Sequence, residues 1–283
     1  MTAASSATIE TPSGKGSGDE NFPVGSLLLS PRLRPHVATF YALARAADDI
    51  ADNGALQPDD KVRRLASLRA ALLGENRGPG HEKAERMRES LGATGVAPQH
   101  CVDLLAAFTQ DATKLRYADW DDLMGYCYLS ASPVGRYLLD LHGEDRAAWP
   151  ASDALCNALQ VLNHLQDCKD DYLNLNRVYL PQDWMTEHRT SVEELDRPHA
   201  SAGMRRVLDR TLDGVADLMV SARTLPGRLK SKRLAMESAV IVALADRLTV
   251  LLRRGDPIAG RVALSKADFA MCGARGVIRG LAA

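Results

Sequence analysis

Aromatic residues are scarce in this chain: they make up only 5% of its 283 residues, whereas hydrophobic residues make up 46%. Because aromatic and β-branched residues favour strands while Ala, Leu and Arg favour helices, this balance predicts a helical protein. Net charge is also nearly absent, at −1. A chain without an excess of positive charge is not expected to bind a polyanion, so no nucleic-acid partner is predicted.

The five cysteines are few and widely spaced, and no Cys-x-x-Cys pair occurs. This spacing argues against a disulfide framework and a zinc site. The longest apolar stretch, 235–252, contains Glu237, Asp246 and Arg247, whereas a membrane-spanning helix needs about 20 mostly apolar residues. No secretory signal is recognised at the N-terminus. We therefore expect a cytoplasmic protein.

Breaker residues divide the chain into helix-length segments, and no internal repeat or alternating strand pattern appears. The sequence predicts a disordered tail over 1–19, rich in small and polar residues, and a single all-α domain over 20–283. The predicted helices are 32–53, 58–74, 82–93, 98–114, 119–142, 150–175, 200–223, 230–254 and 265–278. The fold class is therefore a helical bundle, and a bundle of this size can enclose a central cavity.

Two carboxylates share one face of the first predicted helix, which is otherwise apolar nearly all round. Asp48 and Asp52 are four residues apart, and Arg45 lies on the same stripe, whereas Asp49 points elsewhere. Like charges at this spacing destabilise a buried helix unless a partner compensates them. A divalent cation such as Mg²⁺ would do so, since it binds one or two carboxylates together with water and phosphate.

A second polar row lies on the helix predicted over 150–175. Gln160, Asn163, Asp167 and Asp171 follow one another at helical spacing among Leu, Val, Ala and Cys, and buried polar side chains require partners. A similar aspartate row near residue 213 has a separate apolar face opposite it, so we interpret that row as solvated. His164 is off the polar stripe and is interpreted as a packed histidine.

Two carboxylate rows on separate helices predict a cavity in which more than one Mg²⁺ holds a diphosphate. Metal ions make diphosphate a good leaving group by neutralising its growing charge. Arg45, Arg116 and Arg177 are candidates for direct phosphate contacts, because a guanidinium binds phosphate at two points.

Three motifs in this chain resemble those of the squalene/phytoene synthase family. The first is Tyr-x-x-x-Arg followed by Asp-x-x-x-Asp, and the second is Gln-x-x-Asn-x-x-x-Asp-x-x-x-Asp followed by Arg-x-Tyr-x-Pro. The third lies between them, where the chain reads Tyr-Cys-Tyr-Leu-Ser-Ala-Ser-Pro-Val-Gly over 126–135. Order and spacing agree over most of residues 20–260. The resemblance implies an enzyme of isoprenoid biosynthesis with a single-domain isoprenoid-synthase-type fold.

The resemblance also implies roles for individual residues. Asp48, Asp52, Asn163, Asp167 and Asp171 would bind magnesium. The substrate would contact Arg45, Arg177, Asn163, Gln160, Phe22, Tyr41 and Tyr179. The four aspartates and Tyr126 would be catalytic, and Tyr126 would face a carbocation that its ring stabilises.

The segment 20–26 and the form of the central motif resemble the hydroxysqualene-forming branch of the family, which belongs to hopanoid biosynthesis. That branch implies magnesium-dependent ionisation of presqualene diphosphate and capture of the cation by water, with release of diphosphate. No NADPH is then expected. The resemblance further implies functional coupling to other enzymes of the squalene pathway.

Other functions stay open at this point. A squalene synthase, a presqualene diphosphate synthase that condenses farnesyl diphosphate, and a phytoene synthase share the same motifs. A helical assembly factor without catalysis would be expected to lose the four aspartates, and a di-iron bundle would need Glu-x-x-His ligands. Peripheral contact with the inner face of a membrane also stays open. It would use the C-terminal arginines Arg253, Arg254, Arg261, Arg275 and Arg279, for which a solvated surface is the alternative.

Overall fold

The computed structural model describes residues 30–282, and within this range the backbone is helical with no β-strand. The tail predicted over 1–19 and the candidate substrate contact Phe22 lie outside the described residues. The described helices are α1 Arg34–Ala51, α2 Pro58–Leu73, α3 Glu82–Thr94, α4 Gln99–Asp111, α5 Trp120–Ser130, α6 Ser132–Leu141, α7 Trp149–Leu175, α8 Gln182–Glu187, α9 Ala202–Ala222, α10 Lys232–Arg254 and α11 Lys266–Ala282. The predicted all-α class is confirmed.

The described residues form two compact units, of which the first is Pro31–Thr113. In this unit α1 packs against α2, α3 and α4. Its contact face is apolar, and Leu43, Ala47 and Ile50 are almost completely buried. Burial on this face fixes the rotation of α1, and therefore which of its charged residues remain partly accessible.

The second unit, residues 114–282, is organised around α7, the longest helix, with 27 residues. Four helices pack against α7, namely α5, α6, α9 and α10, while α11 packs along α10. Apolar side chains such as Val161, Leu162 and Leu165 are buried on α7. No helix within residues 30–282 is long and apolar enough to cross a membrane.

The helix predicted over 119–142 is wrong in one respect, because the structure divides it at Ala131 into α5 and α6. Pro133 lies in the first turn of α6 and has no N–H to donate to the preceding turn, so the chain starts a new helix there. The six-residue helix α8 was not predicted, since so short a segment carries little periodic signal.

Gly135 allows α6 and α7 to approach closely. A Cβ atom at this position would lie 2.3 Å from Ser152 Oγ and 2.7 Å from Cys156 Sγ. Both distances are far shorter than van der Waals contact, so a larger residue at this position would force the side chains of Ser152 and Cys156 to move. The close approach fixes the position of α7, which carries the second polar row.

Candidate active site

The first acidic row lies at the C-terminal end of α1. Arg45 binds two carboxylates there: its Nη1 lies 3.0 Å from Asp48 Oδ2, and its Nε and Nη2 donate to Asp49 Oδ1 at 3.0 and 2.8 Å. The predicted proximity of Arg45 and Asp48 is therefore present. Asp49, which the helical spacing placed elsewhere, is buried and shares the same guanidinium.

Asp48 carries the most perturbed carboxyl of this row. Desolvation and the charge of Asp52 raise the pKa of Asp48 to about 7, and Asp111 adds to the rise, whereas Arg45 acts in the opposite direction. The side chain is still 30% exposed, so a cation can reach it. A carboxylate that is costly to ionise alone is stabilised when a cation binds to it, and this condition favours a metal site.

Asp111 is an acidic residue near Asp48 that is not among the candidates predicted from the sequence. It ends α4, only 4% of it is exposed, and its charge acts on Asp48. One signal was present in the sequence: Asp111 continues the buried stripe that Leu104 and Ala107 begin, at spacings of three and four residues. An acid on an apolar stripe is uncommon and predicts a functional or paired carboxylate.

The second row lies towards the C-terminal end of α7. Gln160, Asn163, Asp167 and Asp171 are all half-buried, as a row on one face requires, whereas the neighbouring Asp170 is exposed. Arg261, from the segment between α10 and α11, places its Nη2 3.3 Å from Asp167 Oδ1. From the sequence, Arg261 is expected only as a surface charge, because its partner is 94 positions away in the chain.

The aspartate row on α9 provides an internal comparison. The side chains of Asp209 and Asp213 are 43% and 69% exposed, and they pair with Arg205 and Arg253. These aspartates have the same four-residue spacing as Asp48 and Asp52 but solvated surroundings. The interpretation of the α9 row as a solvated surface is therefore correct, and spacing alone does not identify a metal site.

The two candidate rows also share a position relative to the helix dipole. Asp52 is the C-cap of α1, and Asp171 lies close to the end of α7, which ends at Leu175. Neither helix has a basic residue in its last turn. Carboxylates near the negative end of a helix dipole increase the local negative potential, and a bound cation relieves it.

The donor set fits Mg²⁺ better than a closed protein site for a transition metal. Within residues 30–282, no three His, Cys, Asp or Glu side chains converge as a ready metal site. Each row instead offers two aspartates, Asp48 with Asp52 and Asp167 with Asp171. Mg²⁺ commonly uses one or two carboxylates and takes its remaining ligands from water and phosphate, so the aspartates fit it.

Four rings form a cluster beside the second row. The ring centroids of Tyr117, Tyr126 and Tyr179 lie 5.4–5.5 Å apart, and His164 stacks on Tyr179 with centroids 3.6 Å apart and planes inclined by 12°. Tyr126 is buried, with 4% exposed. Burial and the nearby charge of Arg177 lower the pKa of His164 to about 3, so the imidazole is neutral at physiological pH.

The end of α7 determines where Arg177 lies. Asn176 adopts a left-handed conformation with φ of 53°, and the backbone N–H of Arg177 donates to Asp171 O at 3.1 Å. Arg177 is buried, next to His164. Arg116, another candidate for phosphate contact, instead donates to the backbone carbonyl and the side chain of Asn176. Its guanidinium therefore caps the end of α7.

Tyr41 lies on α1 one turn before Arg45 and is half-buried. Gln160 contacts His164, with 3.2 Å between Nε2 of the amide and Nε2 of the ring. That the rows on α1 and α7 share one cavity stays a prediction. The metal-binding and substrate-binding roles of the individual residues also stay predictions.

Comparison with known proteins supports the resemblance that the motifs indicate. The squalene/phytoene synthase family model matches residues 16–268. Hydroxysqualene synthase from Rhodopseudomonas palustris is 45% identical over 269 residues, which cover 95% of this chain and 90% of the relative. Hydroxysqualene synthase from Sinorhizobium fredii is 44% identical over 256 residues, 90% of this chain and 87% of the relative.

A solved structure gives the same result for the fold. The crystal structure of squalene synthase HpnC from Alicyclobacillus acidocaldarius is 30% identical and superimposes with a TM-score of 0.70. The match covers 82% of this chain and 87% of the HpnC chain. Motifs, sequence identity and fold therefore agree, and the chain belongs to the squalene/phytoene synthase family.

Proposed function

We propose that this chain is a hydroxysqualene-forming enzyme that ionises presqualene diphosphate in the presence of Mg²⁺ and lets water capture the carbocation. The observation that carries this proposal is the level of similarity: the relatives at 44–45% identity are hydroxysqualene synthases and are matched over almost their whole length. The aspartates and arginines that such a reaction needs are all present in the chain.

The acidic rows supply the first part of this chemistry. Asp48 and Asp52 on α1, and Asp167 and Asp171 on α7, would hold Mg²⁺ through carboxylate oxygens. Bound Mg²⁺ would neutralise the negative charge that develops on the departing diphosphate. Asn163, half-buried on the same face as Asp167, offers an amide oxygen as a further ligand.

Basic residues beside the rows supply the second part. Arg45 and Arg177 would bind diphosphate oxygens with their guanidinium groups. Arg45 pairs with Asp48 and Asp49, so a phosphate contact of this guanidinium would replace one of these ion pairs. Arg261 is a further basic group at the second row, through its ion pair with Asp167.

The ring cluster supplies the third part. Tyr126 and Tyr179 are mostly buried and close to each other, and electron-rich ring faces stabilise a nearby cation. A cation that forms close to these rings would be shielded from bulk water. NADPH is not required, because capture by water changes no oxidation state.

The test is a comparison of substrates. The purified protein is incubated with Mg²⁺ and, in separate reactions, with presqualene, farnesyl or geranylgeranyl diphosphate, and the organic product is identified. Hydroxysqualene from presqualene diphosphate is the expected result. Squalene made only in the presence of NADPH, or phytoene from geranylgeranyl diphosphate, would instead identify a squalene or phytoene synthase, and the HpnC structure keeps the squalene synthase alternative relevant.

We also propose that α11 mediates peripheral contact with an anionic bilayer at the cytoplasmic face. Its face away from α10 carries Ala267, Met271, Ala274 and Ile278, all exposed, and the basic Arg275 lies at the side of this face. Apolar and basic groups together favour an anionic lipid surface. A C30 product would enter such a bilayer directly and reach the next enzyme of the squalene pathway there.

Sedimentation with vesicles tests this contact. Wild-type protein is expected to bind vesicles that contain anionic lipid more strongly than neutral vesicles. Met271→Glu with Ile278→Glu should abolish the difference, whereas Val220→Glu, an exposed apolar residue on α9, should not. Equal binding of wild type and the α11 variant would exclude this surface.

A further inference from the structure

The imidazole of His164 belongs to the ring cluster beside the second polar row, and its Nε2 contacts the amide of Gln160. We propose that His164 is a positioning residue that holds the water molecule which captures the carbocation, and that it thereby determines whether the product is an alcohol. This inference rests on the proposed function, since it concerns the fate of the cation after diphosphate has left.

The ring is held in a defined orientation from two directions. One face stacks on Tyr179, with a centroid distance of 3.6 Å and an angle of 12° between the planes. One edge is fixed by Gln160, whose amide lies 3.2 Å from His164 Nε2. These contacts leave the imidazole little freedom to rotate, so the direction of its second nitrogen is fixed as well.

The second nitrogen, Nδ1, is what distinguishes His164 from a purely packed side chain. Within residues 30–282 the only hydrogen-bond partner of the imidazole is Gln160, which contacts Nε2. The side chain is only half-buried. A nitrogen that is oriented but has no protein partner is therefore suited to bind a water molecule.

The surroundings explain why a water molecule would need such a ligand. His164 lies 6.0 Å from the Tyr126 ring and stacks on Tyr179, and both tyrosines are at least 92% buried. A cluster of this kind favours a cation and disfavours bulk water. Without a polar group to hold a water molecule, a carbocation near these rings would lose a proton and yield an alkene.

The C–O bond to diphosphate breaks, and both electrons leave with the diphosphate. A lone pair of the water oxygen forms the new C–O bond, and one water proton passes to the released diphosphate. Nδ1 of His164 accepts a hydrogen bond from the other water proton, which keeps the oxygen lone pair directed at the cation.

The bond to Gln160 determines which nitrogen can accept. If the amide oxygen of Gln160 accepts from the Nε2–H of His164, the lone pair of the neutral ring is on Nδ1. The amide oxygen and nitrogen can exchange places without moving other atoms, so this arrangement fits the observed contact. Gln160 would therefore orient His164 as well as belonging to the polar row.

The experiment measures the product made from presqualene diphosphate and Mg²⁺ in water enriched with ¹⁸O. His164→Phe keeps a planar ring for stacking on Tyr179 but has no nitrogen. We expect the ratio of ¹⁸O-labelled alcohol to hydrocarbon to fall at least about tenfold, which corresponds to about 1.4 kcal/mol. Gln160→Leu frees the ring to rotate and should also lower this ratio. If His164→Phe does not fold, the ratio measured for Gln160→Leu tests the inference in its place.

His142→Phe is the matched control. His142 also hydrogen-bonds through one nitrogen, from Nδ1 to Leu138 O at 2.8 Å, but it is the C-cap of α6 and outside the ring cluster. Its variant should keep the wild-type product ratio. A His164→Phe ratio within twofold of wild type would overturn the inference, even if the total turnover fell. If the wild-type protein makes no alcohol from presqualene diphosphate, the proposed function fails first, and the inference fails with it.

Discussion

Arg261 and Asp167 form an ion pair, with Nη2 of the arginine 3.3 Å from Oδ1 of the aspartate. Asp167 belongs to the acidic row on α7, and Arg261 belongs to the segment between α10 and α11. Two further bonds hold this segment against α7: Gln166 Nε2 donates to Val262 O at 2.6 Å, and Lys169 Nζ lies 3.5 Å from Ile258 O. The guanidinium thus provides positive charge at the carboxylate that we expect to bind Mg²⁺.

Removal of this arginine should therefore strengthen binding of Mg²⁺ in the absence of substrate. An exposed ion pair contributes about 0.2–1 kcal/mol, so Arg261→Gln should lower the Kd for Mg²⁺ by a factor of about 1.4 to 5. Isothermal titration with MgCl₂ measures the change. Arg261→Lys retains the charge and serves as the control; if both variants bind Mg²⁺ as wild type does, Arg261 does not compete with the metal.

Loss of enzyme activity on substitution should distinguish the aspartates of the two candidate rows from the aspartates of the α9 row. Asp52→Asn or Asp171→Asn should reduce diphosphate release about 10²–10³-fold, because a group that stabilises developing charge is lost. Asp213→Asn makes the same chemical change at an exposed position and should leave the rate within about twofold of wild type. The release of pyrophosphate from presqualene diphosphate is the measurement. Comparable losses in all three variants would contradict the site assignment.

The sequence predicts much of this molecule because local signals are strong in its helices. Buried apolar stripes and breakers such as Gly74 and Gly143 give most helix ends within two or three residues. The break at Ala131 is harder to predict, because a proline such as Pro133 can either kink a continuous helix or stand in the first turn of a new one, as it does here.

The candidate site is predicted less completely, for a physical reason. Rows on one helix, such as Asp167 with Asp171, follow from the 3.6-residue period. Contacts between distant segments do not: the charge of Asp111 acting on Asp48 and the pairing of Arg261 with Asp167 depend on helix packing. The sequence predicts a packed His164 because this residue lies off the polar stripe. Its stacking on Tyr179 involves a residue 15 positions later, which the helical period does not place.

Close packing between α6 and α7 predicts that Gly135→Ala destabilises the protein. The added methyl group would meet Ser152 Oγ at 2.3 Å, so we expect a loss of about 1–3 kcal/mol in the free energy of unfolding. Urea denaturation of the metal-free protein measures it. Gly125→Ala is the control, because a Cβ there has no neighbour within 4 Å and alanine favours a helix. If Gly135→Ala were as stable as Gly125→Ala, the two helices could not be this close.

The raised pKa of Asp48 predicts how the stability of the metal-free protein depends on pH. The carboxyl has a pKa of about 7 in the folded protein against an ordinary value of 3.8, so between these values the folded state binds more protons than the unfolded state. Stability from this group is therefore complete below about pH 4 and is lost as pH rises to 7 and above. Asp48→Asn has no such loss, and its Tm should fall less than that of wild type between pH 5 and pH 8.

Mg²⁺ should counteract the loss of stability that the ionisation of Asp48 causes as pH rises. A cation binds the ionised form, so at pH 8 it should raise the Tm of wild-type protein, whereas at pH 5 the protonated Asp48 should weaken the effect. For a chain of this size each kcal/mol corresponds to roughly 2–4 °C, which thermal unfolding followed by circular dichroism resolves. Asp213→Asn should keep the wild-type response at both pH values, and Asp48→Asn should lose most of it. A Mg²⁺ effect that is equal at pH 5 and pH 8, or undiminished in Asp48→Asn, would show that Asp48 is not a ligand.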